Sequence, residues 1–185
     1  NASDAPAMMG CSPYITRTEL LTVLKTGIVP EVDAATQLRF DEGHRIEALA
    51  RPLAEEIIGE TLYPVVGSDG ELSASFDGLT MDETIVFEHK TLNSDLRECM
   101  VNPDNSATLP LQYRVQMEQQ LLVAKAEKCL FIASQWNGDT LVEKRHCWYS
   151  SDKELRAEII AGWKQFAQDL STFVPQEVLP VAVAT

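Results

Sequence analysis

The feature that most constrains this chain is a repeated switch in the period of its apolar residues. Over residues 41–58, Ile46, Leu49, Ala50, Leu53 and Ile57 recur at helical spacing beside a polar row of Glu47, Arg51 and Glu55. From Leu62 onward the pattern is extended. Strands are predicted at 62–66, 72–76 and 84–90, with turns at Gly67-Ser68-Asp69-Gly70 and around Met81 to Glu83. Helical spacing returns over 111–126, where Gln112, Gln116, Gln119 and Gln120 make an unusual polar face. A hairpin over 129–134 and 141–150 follows, turning at Asn137-Gly138-Asp139. Leu155, Ile159, Trp163, Phe166 and Leu170 then stripe a last helix. This order of elements predicts an α/β (α+β) fold, a central mixed β-sheet flanked by helices.

Finer expectations attach to the ends of these elements. Asp4 to Met9 reads as a short helix stopped by Cys11-Ser12-Pro13-Tyr14, and Thr18 as the N-cap of a helix over 19–26 that ends at Gly27. Pro52 should kink its helix or begin a second one. Residues 93–109, with Asn102-Pro103-Asp104-Asn105, read as a loop, and Ser151 with Glu154 as a capping box. The apolar, proline-broken tail from Val174 is expected to pack on the body or on a partner. No repeat or low-complexity tract divides the 185 residues, so one domain over 1–185 is expected. The abrupt Asn1-Ala2-Ser3-Asp4 opening suggests that natural sequence precedes it.

Charge narrows the function. Fifteen basic against 28 acidic residues give a net charge of −13, which excludes a protein that coats nucleic acid through a broad basic surface. A localised basic groove or a cation-bridged phosphate contact stays open. No stretch approaches the roughly 20 apolar residues of a membrane span, and there is no basic-then-apolar leader. Cys11, Cys99, Cys129 and Cys147 lack clustered spacing, which argues against a zinc knuckle or an iron–sulfur site. Cys129 and Cys147 are equidistant from Gly138 and could face each other across the hairpin. Reduced core thiols are the expected state.

The chemistry concentrates in Ser75-Phe76-Asp77-Gly78 and Phe87-Glu88-His89-Lys90. A period of two puts Glu88 and Lys90 on one face of a strand and turns His89 away. If the preceding strand pairs with it, Asp77 converges on the same face. Two carboxylates and an ammonium on one sheet edge are costly unless a cation neutralises the acids. Hard oxygen ligands suit Mg²⁺, with Mn²⁺ as a substitute. The lysine would then orient or deprotonate a water for attack on phosphorus, which is metal-assisted phosphodiester hydrolysis. Taken alone, Asp and Glu-x-Lys fit a cross-strand ion pair on a solvated face better than a catalytic site. Glu47 in the helix upstream and Gln116 in the helix downstream add to the hydrolytic reading.

Taken together, Gly43-x-x-x-Glu47, Ser75-x-Asp77-Gly78-Leu79, Glu88-x-Lys90 and Tyr113-x-x-Gln116-x-x-x-Gln120 resemble the lambda-type phage exonucleases. These are the YqaJ-like viral recombinases, a branch of the PD-(D/E)xK nuclease superfamily. The opening Ala2-Ser3-Asp4 block and Gly10-Cys11-Ser12-Pro13-Tyr14 are similar to the family's early motifs, and the likeness runs from residue 2 to about residue 135. Phe76 stands where the superfamily has its proline.

The resemblance implies a restriction-endonuclease-like core. It implies Asp77, Glu88, the carbonyl of His89 and Glu47 as metal ligands, Lys90 as the catalytic lysine, and Gln116 as the group holding the attacking water. It places Ser3 near a 5′-phosphate pocket and makes Ser12, Tyr14, Arg45, Arg51 and Arg114 candidates for DNA contact. A phosphate-gripping arginine of the family falls before Asn1, which leaves 5′-phosphate preference open. The implied protein is a Mg²⁺-dependent 5′-to-3′ exonuclease acting on double-stranded DNA ends. It would release 5′-mononucleotides and leave 3′ overhangs for a single-strand annealing recombinase. The resemblance further implies a toroidal homotrimer, phage- or prophage-encoded, in the cytoplasm of a bacterial host. A structure-specific endonuclease or an inactive DNA-binding module are the competing readings. His44 reads as a surface or DNA-facing residue, His146 as packing and Arg97 as a possible channel residue.

Overall fold

The structure, a computed structural model, describes residues 1–101 and 106–176. A five-stranded sheet runs β1 (Tyr63–Asp69), β2 (Leu72–Leu79), β3 (Ile85–Thr91), β4 (Lys128–Asn137) and β5 (Thr140–Ser150), in that spatial order. All neighbours are antiparallel except β3 and β4, which are parallel. The parallel pair needs a crossover, and α5 (Leu111–Ala124) lies within it.

Helices cover both faces. Ala50 and Ala54 of α3 (Ala34–Ile58) bury one face against Phe87, Leu130 and Ile132. On the other face, Met117 and Leu121 of α5 pack on Phe76, Val86 and Phe131. Behind α5, α1 (Ala5–Met8), α2 (Arg17–Thr26) and α6 (Lys153–Thr172) close a second cluster around Val115 and Ile159. Small residues let α3 come this close. At Gly78 a Cβ would meet the Cβ of Leu62 at 2.9 Å, so only glycine fits the last rung before the site.

The expected element order and mixed sheet are present, with corrections at the ends. The cap of α2 is Thr16, not Thr18. Its hydroxyl accepts from the Glu19 N–H while the Glu19 carboxylate accepts from the Thr16 N–H, a capping box that starts the helix two residues earlier. Helix α3 begins at Ala34 rather than at residue 41, capped by Asp33, and passes through Pro52 without starting a second helix. The segment expected to be a loop holds α4 (Ser94–Cys99), capped by Asn93, and a 3₁₀ turn at Ser106–Thr108. Asn102-Pro103-Asp104-Asn105 and residues 177–185 lie outside the described residues.

The cap of α6 is Asp152, because the Ser151 hydroxyl donates instead to Glu118. Strand β2 runs on to Leu79, so Asp77 sits inside it. A register shift at Gln135/Trp136 pairs Cys129 with Tyr149 and Cys147 with Phe131, and all four cysteines are free thiols.

Candidate active site

The site forms where the sheet comes apart. β2 and β3 share only two rungs, Gly78–Phe87 and Leu79–Val86, and then diverge. Beyond that point β3 has no strand partner on its β2 side, and the Asp77 carboxylate takes over. Its Oδ2 accepts from the His89 backbone N–H at 2.7 Å. Asp77, Glu88 and Lys90 therefore open onto one cavity of about 530 Å³, which Glu47, Gln116, His44, Ser75 and Ser3 also line.

Glu88 is 2% exposed, yet both its oxygens are engaged. Oε1 accepts from Lys90 Nζ at 2.5 Å and from Gln116 Nε2 at 2.8 Å, while Oε2 accepts from Gln120 Nε2 at 2.6 Å. The alternation predicted for β3 holds, since the His89 ring points the other way, its Nε2 2.7 Å from Ser134 Oγ. Burial, and then the charge of Lys90, lower the His89 pKa to about 4, so its imidazole is neutral.

Electrostatically the acids of the cavity oppose one another. Burial and then the charge of Glu88 hold the Asp77 carboxyl well above the usual carboxylate range, with Lys90 only partly opposing them. Burial also raises Glu47, against the pull of Arg51 and His44. For Lys90, burial acts to lower the pKa, but Glu88 and Asp77 outweigh it and raise it above the ordinary lysine value. Lys90 is thus an ammonium here, 31% exposed toward the cavity. Three acids that repel one another beside one lysine fit a hard divalent cation through the Asp77 and Glu88 carboxylates and the His89 carbonyl. Among the described residues no three His, Cys, Asp or Glu side chains are arranged to hold a metal ion. Glu88 is turned onto its donors, and Glu47 onto Arg51 at 2.9 Å.

Of the predicted DNA contacts, only Ser3 lines this cavity. Arg51 lies beneath it, Nε donating to the Asp77 carbonyl at 2.8 Å and Nη2 to Glu47, with its side chain 19% exposed. Arg45 is held by Glu42 and Asp139, Arg114 by the Leu109 carbonyl and Arg97 by Glu143 and Gln135. Ser12 accepts from the N–H groups of Tyr14 and Ile15, and Tyr14 is 87% exposed. Sequence reasoning missed Arg39 and Phe40 on the cavity rim, which belong to the unforeseen first turns of α3. It also gave Gln120 no role, although its spacing of four from Gln116 places both on one helix face.

A family model, the YqaJ-like viral recombinase domain, matches residues 1–127, which include every residue of this site. The chain belongs to the YqaJ-like viral recombinase family. With that membership it is an enzyme of the nuclease class, and the PD-(D/E)xK-type fold expected from the resemblance is present. An alkaline exonuclease from Laribacter hongkongensis, LHK-Exo, is similar in fold, with 24% identity and a TM-score of 0.69 over 92% of this chain and 86% of its own. Its complex with dAMP aligns over the same shares at 23% identity and a TM-score of 0.70. A phage-related exonuclease from Haemophilus somnus 129PT gives 14% identity and a TM-score of 0.62 over 92% and 94% of the two chains. No curated protein sequence matches the chain. Among the described residues no helix is long and apolar enough to cross a membrane.

Proposed function

We propose that this YqaJ-like domain is a Mg²⁺-dependent 5′-to-3′ exonuclease of double-stranded DNA, releasing 5′-mononucleotides and leaving 3′ overhangs. The observation that carries the reading is the parting of β2 from β3, which gathers Asp77, Glu88, Lys90 and Gln116 at the floor of one cavity. Its fold neighbours are exonucleases, one of them in complex with dAMP, which supports a DNA end as substrate. Bound between Asp77, Glu88 and the His89 carbonyl, the cation would neutralise the acids, polarise the phosphoryl group and make water more acidic.

The chain's own residues do the rest. Gln116, fixed on Glu88, has its amide beside Lys90 and can hold the attacking water. Lys90 carries its proton at Nζ while both acids are bare. It can orient that water, and becomes able to take a proton once the charges that raise its pKa are offset. Ser3 and Ser75, joined through Asn1, line the wall where a terminal phosphate would sit. An acidic exterior does not forbid this, because phosphate contact is local.

A homotrimer that hands its 3′ overhang to a single-strand annealing protein completes the reading. Exposed Ile28, Val29 and Val32 between α2 and α3, with Leu38 in the first turns of α3, offer apolar area for contact between copies. The test digests linear and covalently closed circular duplex, each strand labelled at one end or the other. Loss of the 5′ label as mononucleotide in MgCl₂, blocked by EDTA, is expected. Cutting of closed circles would make the domain an endonuclease, and no cutting of either would leave a DNA-binding module.

A further inference from the structure

Gln120 takes no direct part in the proposed reaction. This side chain is fully buried between α5 and the sheet, and its Nε2 bridges the place where the sheet parts. It donates to the Ser75 carbonyl of β2 at 3.1 Å and to Glu88 Oε2 of β3 at 2.6 Å. Its own Oε1 is buried without a hydrogen-bond partner. A buried acceptor left unpaired costs the fold, so the amide is held here by what its nitrogen reaches. Packing alone therefore does not account for a glutamine here.

We infer that Gln120 is a positioning residue for the cation site, an inference that rests on the nuclease reading above. Glu88 is gripped on one oxygen by Lys90 and Gln116. A carboxylate held by one oxygen can still swing about its terminal bond, and Gln120 removes that freedom by holding the second oxygen. Because the same amide is tied to β2 two residues before Asp77, it also fixes how far Glu88 stands from the opposite carboxylate. The spacing of the two acids is thus set by a residue that touches neither cation nor DNA. Groups that orient metal ligands in this way typically govern affinity by 10–100-fold. Gln119 provides the internal comparison. It is as buried, donates to the Ser73 carbonyl at 3.1 Å and accepts from Trp163 Nε1 at 2.6 Å, but does not touch Glu88.

The experiment titrates the metal-free full chain with MgCl₂ or MnCl₂ alone, reading heat and thermal shift, for wild type, Gln120→Met, Gln120→Asn and Gln119→Met. Circular dichroism checks folding of each variant. Both Gln120 variants are expected to bind the cation about 10–100-fold more weakly. In cleavage assays kcat falls by a similar factor while KM for the duplex is unchanged. Gln119→Met is expected to lose thermal stability yet keep the wild-type cation affinity. Should Gln120→Met fail to fold, Gln120→Asn carries the test, since it keeps the amide but is one methylene too short to reach both partners. Wild-type affinity in a folded Gln120 variant overturns the assignment and leaves the nuclease reading intact. A wild-type chain that takes up neither cation overturns that reading itself.

Discussion

Glu88 and Glu118 are both buried, both multiply hydrogen-bonded, and fit for opposite purposes. Glu118 accepts from Tyr149 Oη at 2.6 Å, Ser151 Oγ at 2.8 Å, the Asp152 N–H at 2.8 Å and Arg156 Nε at 2.6 Å. These donors pin α5 to the end of β5 and the start of α6, and the charge is answered by an arginine. Glu88 is held by three donors against the four of Glu118, but two further carboxylates share its surroundings and it opens on the cavity. Burial of an acid does not mark function. Burial beside other acids, with a way in, does.

The largest expected difference is at the lysine that answers Glu88. Lys90→Ala should lower the initial cleavage rate in MgCl₂ by about 10²–10⁴-fold, with duplex binding retained when measured by anisotropy in CaCl₂. A variant that still cuts at the wild-type rate would reduce Lys90 to a counter-ion. Glu118→Ala should do the reverse. It strands Arg156 and removes four hydrogen bonds, so stability should fall by about 3 kcal/mol, read from urea midpoints, while the folded fraction continues to cleave. Loss of cleavage in folded Glu118→Ala would mean that the two glutamates are not separable in this way.

A smaller effect appears with pH. The Asp77 carboxyl is raised in the folded state, so its favourable contribution is complete below the ordinary carboxylate range and fades as pH rises through the raised value. Glu47 acts in the same direction. A divalent cation binds the ionised acids and must displace protons below that value. The thermal shift produced by MgCl₂ over EDTA should therefore grow from acid to mildly alkaline pH and then level off. Asp77→Asn should flatten the curve. A shift that declined with rising pH would have the wrong sign for this site.

Much of this was legible from the residues. The alternation of Glu88, His89 and Lys90 follows from a period of two, and the glutamine face of α5 stood out as an unusual polar face with four amides in one helix. Other features were out of reach for physical reasons. That β2 and β3 pair over only two rungs is a tertiary feature that no alternation of residues along either strand records. The offset of Cys129 from Cys147 comes from a turn centred between Gly138 and Asp139 and from one further register shift, neither of which symmetry about Gly138 reveals. Charges were the least legible. A sequence shows that Arg45, Arg97 and Arg114 exist, but not that Asp139, Glu143 and the Leu109 carbonyl already hold them.

Arg51 tests that last point most finely. From sequence it is a candidate DNA contact, yet it braces Glu47 to the Asp77 carbonyl, tying α3 to the strand that carries the first acid. If bracing is its work, Arg51→Met should slow cleavage about tenfold by loosening Glu47. The dependence of duplex affinity on salt should not change, because no phosphate contact is lost. If Arg51 instead reaches phosphate, the slope of log K against log salt should fall by about 0.9, with cleavage of bound DNA unaffected. Binding isotherms at several salt concentrations, beside single-turnover rates, separate the two. The brace predicts a change in rate and none in slope, because Nε and Nη2 are turned onto the Asp77 carbonyl and Glu47 rather than toward a phosphate.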